Sequence, residues 1–544
     1  MAIGTNIRTD SVQGVAEAVG AGELSRAFDL ASAAIRNGQR HPALYNARAL
    51  WFQEQGRLPE ALTEYQQALM LTPRDATLLN AIGMCYVRCN RIAEGIAAFD
   101  TAIAVTPNSA VTHFRRGWAL ASSGDQEAAR LAFERAVELK PDYAEALAGL
   151  ASIAARDSKP DLARDYAERC RKIDPTEPTA IIALAIVENA AGNFETAEAL
   201  LREALEDARA AGHTRAVLLG YLGDALDGQN RIAEAFAAYS AKGEEFRRLH
   251  TSRLAGTPPA TKVMASLSAY LESTPAKKWQ RDDAPRPVER APREHVFLLG
   301  FVRSGTTLLE RVLDVHPDVV SLEERETLND LSQQFMHVPM GLDRLAALKG
   351  MAYDQARAGY WRRVREYGVE PEGKVFIDKQ PLNTFNLPMI SKLFPEAKVL
   401  FALRDPRDVV FSCFRRHFEV NSTMFEFLNL EDGARFYAAV MNVGVLCRAK
   451  LPLTLHEHRY EDMVADFDGR VRAVCDFLDV PWTDAMRGFS TKAREETIRS
   501  PSAAQVRRPL YGEGVGQWRR YAKEFAPALP ILAPWVKHFG YKPD

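Results

Sequence analysis

Val296-Phe297-Leu298-Leu299-Gly300-Phe301-Val302-Arg303-Ser304-Gly305-Thr306-Thr307-Leu308-Leu309-Glu310-Arg311-Val312-Leu313 decides the architecture of the C-terminal half of the chain. Its short apolar run ends at Gly300, as a buried parallel strand does, and from Thr307 the apolar residues recur at helical spacing. Strand, glycine-bearing loop and helix in this order make a phosphate cradle, because glycines let backbone N–H groups approach anionic oxygens at a helix N-terminus. The lysine that bridges nucleotide β- and γ-phosphates in a P-loop is missing. Thr306 stands in its place, and Arg303 and Ser304 precede it, so the loop offers hydroxyls and a guanidinium, which argues against a nucleoside triphosphatase. Two glycines alone would suit a turn in any α/β protein; the hydroxyl-rich run Arg303 to Thr307 is what narrows the reading.

A second stretch has the same strand, turn and helix order: Val399-Leu400-Phe401-Ala402-Leu403-Arg404-Asp405-Pro406-Arg407-Asp408-Val409-Val410-Phe411-Ser412. An arginine closes the strand, and a serine follows two helical turns on. Together the two stretches resemble the sulfotransferases that use 3′-phosphoadenosine 5′-phosphosulfate, over about residues 294 to 544. The resemblance implies an α/β, P-loop-like domain with a central parallel sheet. It implies that Arg303, Ser304, Gly305, Thr306 and Thr307 hold the 5′-phosphosulfate, and that Arg404 and Ser412 hold the 3′-phosphate. Arg416, read as one turn past Ser412 on the same helical face, is placed to add a bidentate contact.

Sulfuryl transfer is a loose in-line displacement that needs positioning, charge stabilisation and a base for the acceptor. Leu313-Asp314-Val315-His316-Pro317-Asp318-Val319-Val320-Ser321-Leu322-Glu323-Glu324 is most similar to the tyrosylprotein sulfotransferase branch, and the resemblance puts the catalytic base at Glu324. Glu323 is the adjacent alternative, His316 is a further one, and acids favoured by a helix dipole are the bland reading of the pair. Lys379, in Val375-Phe376-Ile377-Asp378-Lys379-Gln380-Pro381, matches a lysine that stabilises the transferring group; otherwise it is a solvated strand-end lysine. Tyr460 matches a cofactor-contacting tyrosine, Ser502 a transition-state serine, and Gly514-Val515-Gly516-Gln517-Trp518-Arg519 part of a late glycine-rich segment over the 3′-phosphate. The basic pair Arg507-Arg508 sits earlier than in cytosolic sulfotransferases. No acidic cluster has Mg²⁺ spacing, so no metal is expected. Where the tyrosylprotein branch grips an acidic peptide with an arginine this chain has Glu326, and a membrane anchor like that branch's is not expected, so the hydroxyl acceptor is left as a peptide, a carbohydrate or a small alcohol.

The first half repeats. Pro73, Pro107, Pro141 and Pro175 follow one another at steps of 34, and the same step links Gly22, Gly56, Asn90, Gly124, Ser158 and Gly192, and the small residues Ala27, Ala61, Gly95, Ala129, Ala163 and Ala197. Apolar residues between these marks have helical spacing. Each unit is therefore helix, turn, helix, with small residues where the helices cross, an aromatic such as Tyr65, Phe99 or Phe133 in the groove, and proline ending the second helix. The pattern resembles the tetratricopeptide repeat over about residues 12 to 250. A last unit around Asn230 to Ala235 is displaced by four residues, read as an insertion near Ala208 to His213. Such solenoids grip peptides or partner proteins on a concave face, the alternative being a spacer or dimerisation surface.

Length fits this division, since 544 residues exceed what one hydrophobic core organises. The expected fold is multidomain: an all-α repeat solenoid over 1–250, a short helix near Thr261 to Glu272 and a Pro- and charge-rich linker within 251–293, and the α/β domain over 294–544. A net charge of −2 gives no reason to expect long nucleic acid or an anionic membrane as partner. Six cysteines lie in apolar contexts, and the Cys85-x-x-x-Cys89 pair has no second pair to complete a zinc site. No stretch reaches the length of a membrane span, so a cytoplasmic location is expected. The function expected is sulfuryl transfer with a repeat domain that recruits partner or substrate. The alternative is a repeat-based adaptor whose second domain binds nucleotide without turnover. A small-molecule kinase would need a lysine or a metal carboxylate near the loop.

Overall fold

The computed structural model describes residues 3–207, 209–279, 288–336, 340–495, 498, 502–508, 510 and 512–543. It divides into two compact units, Met1–Asn193 and Phe194–Asp544.

The first unit is a stack of antiparallel helix pairs, such as Ala76–Arg88 with Ile92–Val105 and Ala110–Ser123 with Gln126–Leu139. The helices Leu58–Leu71, Ile92–Val105, Gln126–Leu139 and Pro160–Ile173 each stop two residues before a proline of the 34-residue series. The turn within each pair has a fixed hand: Gly22, Gly56, Asn90, Gly124, Ser158 and Gly192 all have φ between 58° and 85°. That region disfavours a Cβ, which explains glycine or a short polar side chain at each step. Where the helices cross, the sequence removes side chains so that one aromatic fits. A Cβ at Gly83 would lie 2.6 Å from Phe99, and Cβ atoms at Gly117 and Gly149 would lie 2.7 and 2.8 Å from opposite edges of Phe133. Phe99 and Phe133 are buried accordingly.

The second unit begins earlier than the pattern of motifs suggests. Its first helices are Phe194–Glu206, Gly212–Gly228 and Ile232–His250. The displaced last repeat is accommodated at the start of Gly212–Gly228, which has 17 residues where its counterparts have 13 or 14; residue 208 of the expected insertion lies outside the described residues. This pair packs on residues 414–428. Lys242, fully buried, donates hydrogen bonds to the carbonyl oxygens of Phe414 (2.6 Å) and Arg416 (3.2 Å). A Cβ at Gly243 would meet the Leu428 carbonyl oxygen at 2.0 Å, and Phe246 shares a core with Ala216 and Val420. Ala260–Ser273 follows as the short helix, and Trp279, in the stretch read as linker, is buried. Pro285 and Pro287 of that stretch lie outside the described residues.

The sheet is five-stranded, parallel throughout, in the order β2-β3-β1-β4-β5, with β1 Glu294–Gly300, β2 Val319–Glu323, β3 Val375–Lys379, β4 Lys398–Leu403 and β5 Thr454–Arg459. Its inner strands β3, β1 and β4 are buried along nearly their whole length, as parallel strands covered on both faces are. Gly300 pairs with Ala402, and a Cβ there would lie 2.3 Å from the Ala402 carbonyl oxygen, so only glycine lets β1 and β4 meet before the chain turns into the loop. Gly300, Glu323, Lys379, Leu403 and Arg459 end their strands on one edge, the carboxyl edge where open parallel sheets bind ligands. No helix among the described residues is long and apolar enough to cross a membrane.

Truncation of Phe133 to alanine would empty the space between Gly117 and Gly149. It is expected to destabilise the first unit by about 3–5 kcal/mol, read by native-state hydrogen exchange; protection unchanged in the helices Ala110–Ser123 and Ala144–Arg156 would refute this packing.

Candidate active site

At the carboxyl edge of the sheet lies a cavity of about 410 Å³, in the size range of small-molecule sites. Arg303, Gly305, Thr306, Thr307, Glu324, Arg404, Ser412, Tyr460 and Ser502 all line it. Ser304 is buried in the loop behind it, and Lys379 lies beneath Glu324 with no exposed surface. These residues come from all five strand ends and from segments about 200 residues apart in sequence, such as Arg303 and Ser502, whose side chains are hydrogen-bonded.

One end of the cavity is cationic. The loop after β1 turns through Arg303, at φ 69°, and Gly305, at φ 91°, into the Thr306–Leu313 helix, whose N-terminus has no side-chain cap. A Cβ on Gly305 would meet the Tyr460 ring at 2.9 Å. The Arg303 guanidinium is bound by Ser412 (Nε to Oγ, 3.0 Å), Ser502 and Gln505. Burial first, and then the charges of Arg416 and Arg404, push its pKa down to about 9. Arg404 donates to the carbonyl oxygens of Arg303 (3.1 Å) and Gly514, lies over the Tyr460 ring at 4.8 Å, and leaves its buried Nε without a partner. The late glycine segment is fastened by Asp408, which accepts from the backbone N–H groups of Gly516 (2.6 Å) and Trp518 (3.0 Å). Arg416 differs from expectation: the helix Pro406–Arg415 ends one residue before it, its ψ of 157° is extended, and its guanidinium lies 4.0 Å from Asp224. It is therefore not on the helical face of Ser412, because Lys242 takes up the carbonyl oxygens at this helix end.

The other end carries the acid and base groups. Lys379 Nζ lies 2.7 Å from Glu324, 3.3 Å from Glu310, 3.7 Å from Glu323 and 3.5 Å from the Thr307 hydroxyl. Burial opposes its charge, but Glu310, Glu324 and Glu323 outweigh that and raise its pKa above the ordinary value. The two adjacent glutamates separate cleanly. Glu324 faces the cavity, whereas Glu323 turns to Arg311 at 3.2 Å. Glu324 reaches its position at φ 44°, with its N–H bonded to the Lys379 carbonyl oxygen at 2.8 Å, a sparsely populated conformation of the kind that collects at functional sites. His316 is buried away from the cavity lining, and its Nδ1 accepts from the Asp318 N–H at 3.1 Å, so it closes a turn. Glu310 and Gln505 were not singled out in the sequence; the only signal of the first was a carboxylate on the cavity helix. Among the described residues no group of three or more His, Cys, Asp or Glu side chains is placed to hold a metal ion.

Comparison with known proteins agrees with this architecture. A model of the sulfotransferase family matches residues 295–484, and tetratricopeptide repeat models match 52–88, 80–144 and 114–178. Protein-tyrosine sulfotransferase 1 of Danio rerio is 26% identical over 260 residues, covering 46% of this chain and 72% of that protein. Protein-tyrosine sulfotransferase of Drosophila melanogaster is 27% identical over 301 residues, 52% of this chain and 58% of that protein. An uncharacterized protein of Aquifex aeolicus is 26% identical over 258 residues, 44% of this chain, which thereby spans only 32% of its relative. Among solved structures, a tetratricopeptide repeat protein from Parabacteroides merdae aligns with 17% identity and a TM-score of 0.38, over 44% of this chain and 93% of that one. The chain thus combines tetratricopeptide repeats with a domain of the sulfotransferase family.

Proposed function

We propose that the second unit transfers a sulfuryl group from 3′-phosphoadenosine 5′-phosphosulfate to a hydroxyl acceptor. The observation that carries this reading is one cavity with a cluster of guanidiniums at one end and a Glu324–Lys379 pair, 2.7 Å apart, at the other. The donor fits the first end on chemical grounds. Arg303 is buried, with Arg404 and Arg416 nearby, and Arg404 keeps a buried Nε unpartnered, as suits a pocket for anionic groups. Bound there, the donor supplies an activated sulfuryl group and leaves as adenosine 3′,5′-bisphosphate.

In this reading the uncapped N-terminus at Thr306 and Thr307, with Arg303 and Ser304, cradles the 5′ end, and Arg404, Ser412 and Tyr460 hold the 3′-phosphate. Glu324 takes the acceptor's proton. Lys379, within reach of Thr307 behind the loop, offsets the negative charge that develops as the sulfuryl group moves, and Ser502 steadies Arg303. The repeat unit recruits a protein or peptide partner, which the matches to tetratricopeptide repeat models support. Six free cysteines, all but Cys89 buried, support a reducing, cytoplasmic location. The protein-tyrosine relatives favour a peptide acceptor, while the exposed Glu326 disfavours the acidic peptides for which that position would carry an arginine.

Incubation with donor labelled in its sulfur atom and candidate hydroxyl acceptors tests the proposal. Wild type is expected to transfer label, and Glu324→Gln to lose about 10²–10⁴-fold in rate, the range for removing a general base, while still binding adenosine 3′,5′-bisphosphate. Equal rates would remove Glu324 from the base role. Tight bisphosphate binding with no transfer to any acceptor would favour the adaptor reading instead. Calorimetry on Arg404→Met is expected to show bisphosphate affinity lowered by about 10- to 100-fold, the loss of one or more charge-assisted hydrogen bonds; unchanged affinity would place the 3′-phosphate elsewhere.

A further inference from the structure

Glu310 is completely buried beneath the candidate site, and the function proposed above leaves it without a role. The groups nearest it are two cations, Lys379 and Arg311, and three further acids, Glu323, Glu324 and Asp314. Lys379 comes from β3, Ser321 and Glu323 from β2, Glu324 from the residue after β2, Arg311 from its own helix and Asp314 from the residue after that helix. The helix Phe489–Glu495, packed on the same helix, brings Lys492, which is bonded to the Asp314 carbonyl oxygen at 2.6 Å, and the neighbouring turn at 484–488 brings Asp484 and Arg487, paired with each other at 2.6 Å. The strand β1 and the short helix Ala503–Val506 complete the elements against the Glu310 helix. Arg507, at the end of that short helix, donates to the Ala493 carbonyl oxygen.

The hydrogen bonds say where one proton resides. Ser321 Oγ lies 3.0 Å from Glu310 Oε1 and 2.8 Å from Asp314 Oδ2. A hydroxyl has one proton to donate, so a full hydrogen bond at both contacts needs a second proton, carried by one of the carboxyl groups. Asp314 is paired with Arg311 at 3.3 Å and partly exposed, while Glu310 has no exposed surface. The consistent arrangement is Glu310 Oε1–H donating to Ser321 Oγ, and Ser321 O–H donating to the Asp314 carboxylate. Glu310 Oε2, which makes no hydrogen bond of its own, then faces Lys379 at 3.3 Å and Arg311 at 3.5 Å as a neutral carbonyl-type oxygen.

We propose that Glu310 is a positioning residue for Lys379: as an uncharged carboxyl it leaves the ammonium to Glu324 and the cavity, and as a carboxylate it competes for it. This rests on the sulfotransfer reading for the role of Lys379. Burial raises the Glu310 pKa to about 8, opposed by Lys379 and Arg311 and reinforced by Asp314 and Glu323, so the competition begins just above neutral pH.

Glu310→Gln is the informative variant, because an amide reproduces the donor and acceptor of the neutral acid and cannot ionise. Rates of sulfuryl transfer measured from pH 6 to 10 are expected to fall on an alkaline limb above about pH 8 in wild type, by roughly tenfold per pH unit, and to lack that limb in Glu310→Gln. A second measurement needs no acceptor. Because the folded state holds this proton and the unfolded chain releases it near pH 4.5, wild type loses stability as pH rises from about 4.5 to 8. Glu310→Gln does not titrate, so the difference in melting temperature should widen over that window and level off above it. Superimposable rate profiles overturn the positioning role, and a flat melting difference overturns the proton assignment. A widening difference with no transfer by wild type at any pH overturns the sulfotransfer reading, and with it the positioning role, while the buried proton stands.

Discussion

An ammonium group without solvent must be surrounded by oxygen, and Lys379 imposes that requirement on everything near the carboxyl edge of the sheet. Three carboxyl groups converge on it from two different elements and from the turn after β2. Breaking such an arrangement by removing one partner typically costs about 3–5 kcal/mol, so the spacing of β2, β3 and the loop helix cannot drift independently. The left-handed backbone of Glu324 follows from the same demand. The chain must leave β2 and turn at once, so that Glu323 reaches Arg311 while Glu324 reaches back to Lys379 and outward to the cavity.

The guanidinium end is governed by the opposite problem, too little counter-charge. Arg303, Arg404, Arg415 and Arg416 lie close enough for their charges to bear on one another; among the described residues, carbonyl, hydroxyl and amide oxygens moderate them, with Asp224 and Asp227 of the helix Gly212–Gly228 beside Arg416 and Arg415 and with Asp408 and Glu461 near Arg404. A site so arranged is stabilised by an anion. Its walls are correspondingly those that an anion would tighten: the loop after β1, the segment at Ser502 and Gln505, and the glycine turn at Gly514, held to the sheet through Asp408.

Legibility in the sequence followed locality. The 34-residue period was readable because each left-handed turn and each proline stop acts on its own few residues, and Gly22 through Gly192 express the same backbone rule six times. The cradle was readable because strand, glycine and helix are contiguous. Glu310 was not, since an acid in a short amphipathic helix looks like a surface residue until β2 and β3, arriving from later in the chain, enclose it. The helix end at Arg415 was equally hidden, being set by Lys242, 172 residues away from the Phe414 carbonyl it binds. The division at residue 193 also depends on such distant partners: Ile232–His250 reads as one more repeat, yet its buried face is completed by residues 414–428.

That last packing bears on how such a chain is free to vary. In stacked repeats each unit answers mainly to its neighbours, so units can be duplicated or deleted while the surfaces passed along are kept. The pair Gly212–Gly228 and Ile232–His250 has lost this freedom. With Asp224 and Asp227 set against Arg416 and Arg415, and Lys242 closing the end of the helix that bears Ser412, its sequence answers to the cavity as well as to the stack. A change in repeat number upstream of this pair leaves these contacts in place, whereas loss of the pair would remove them.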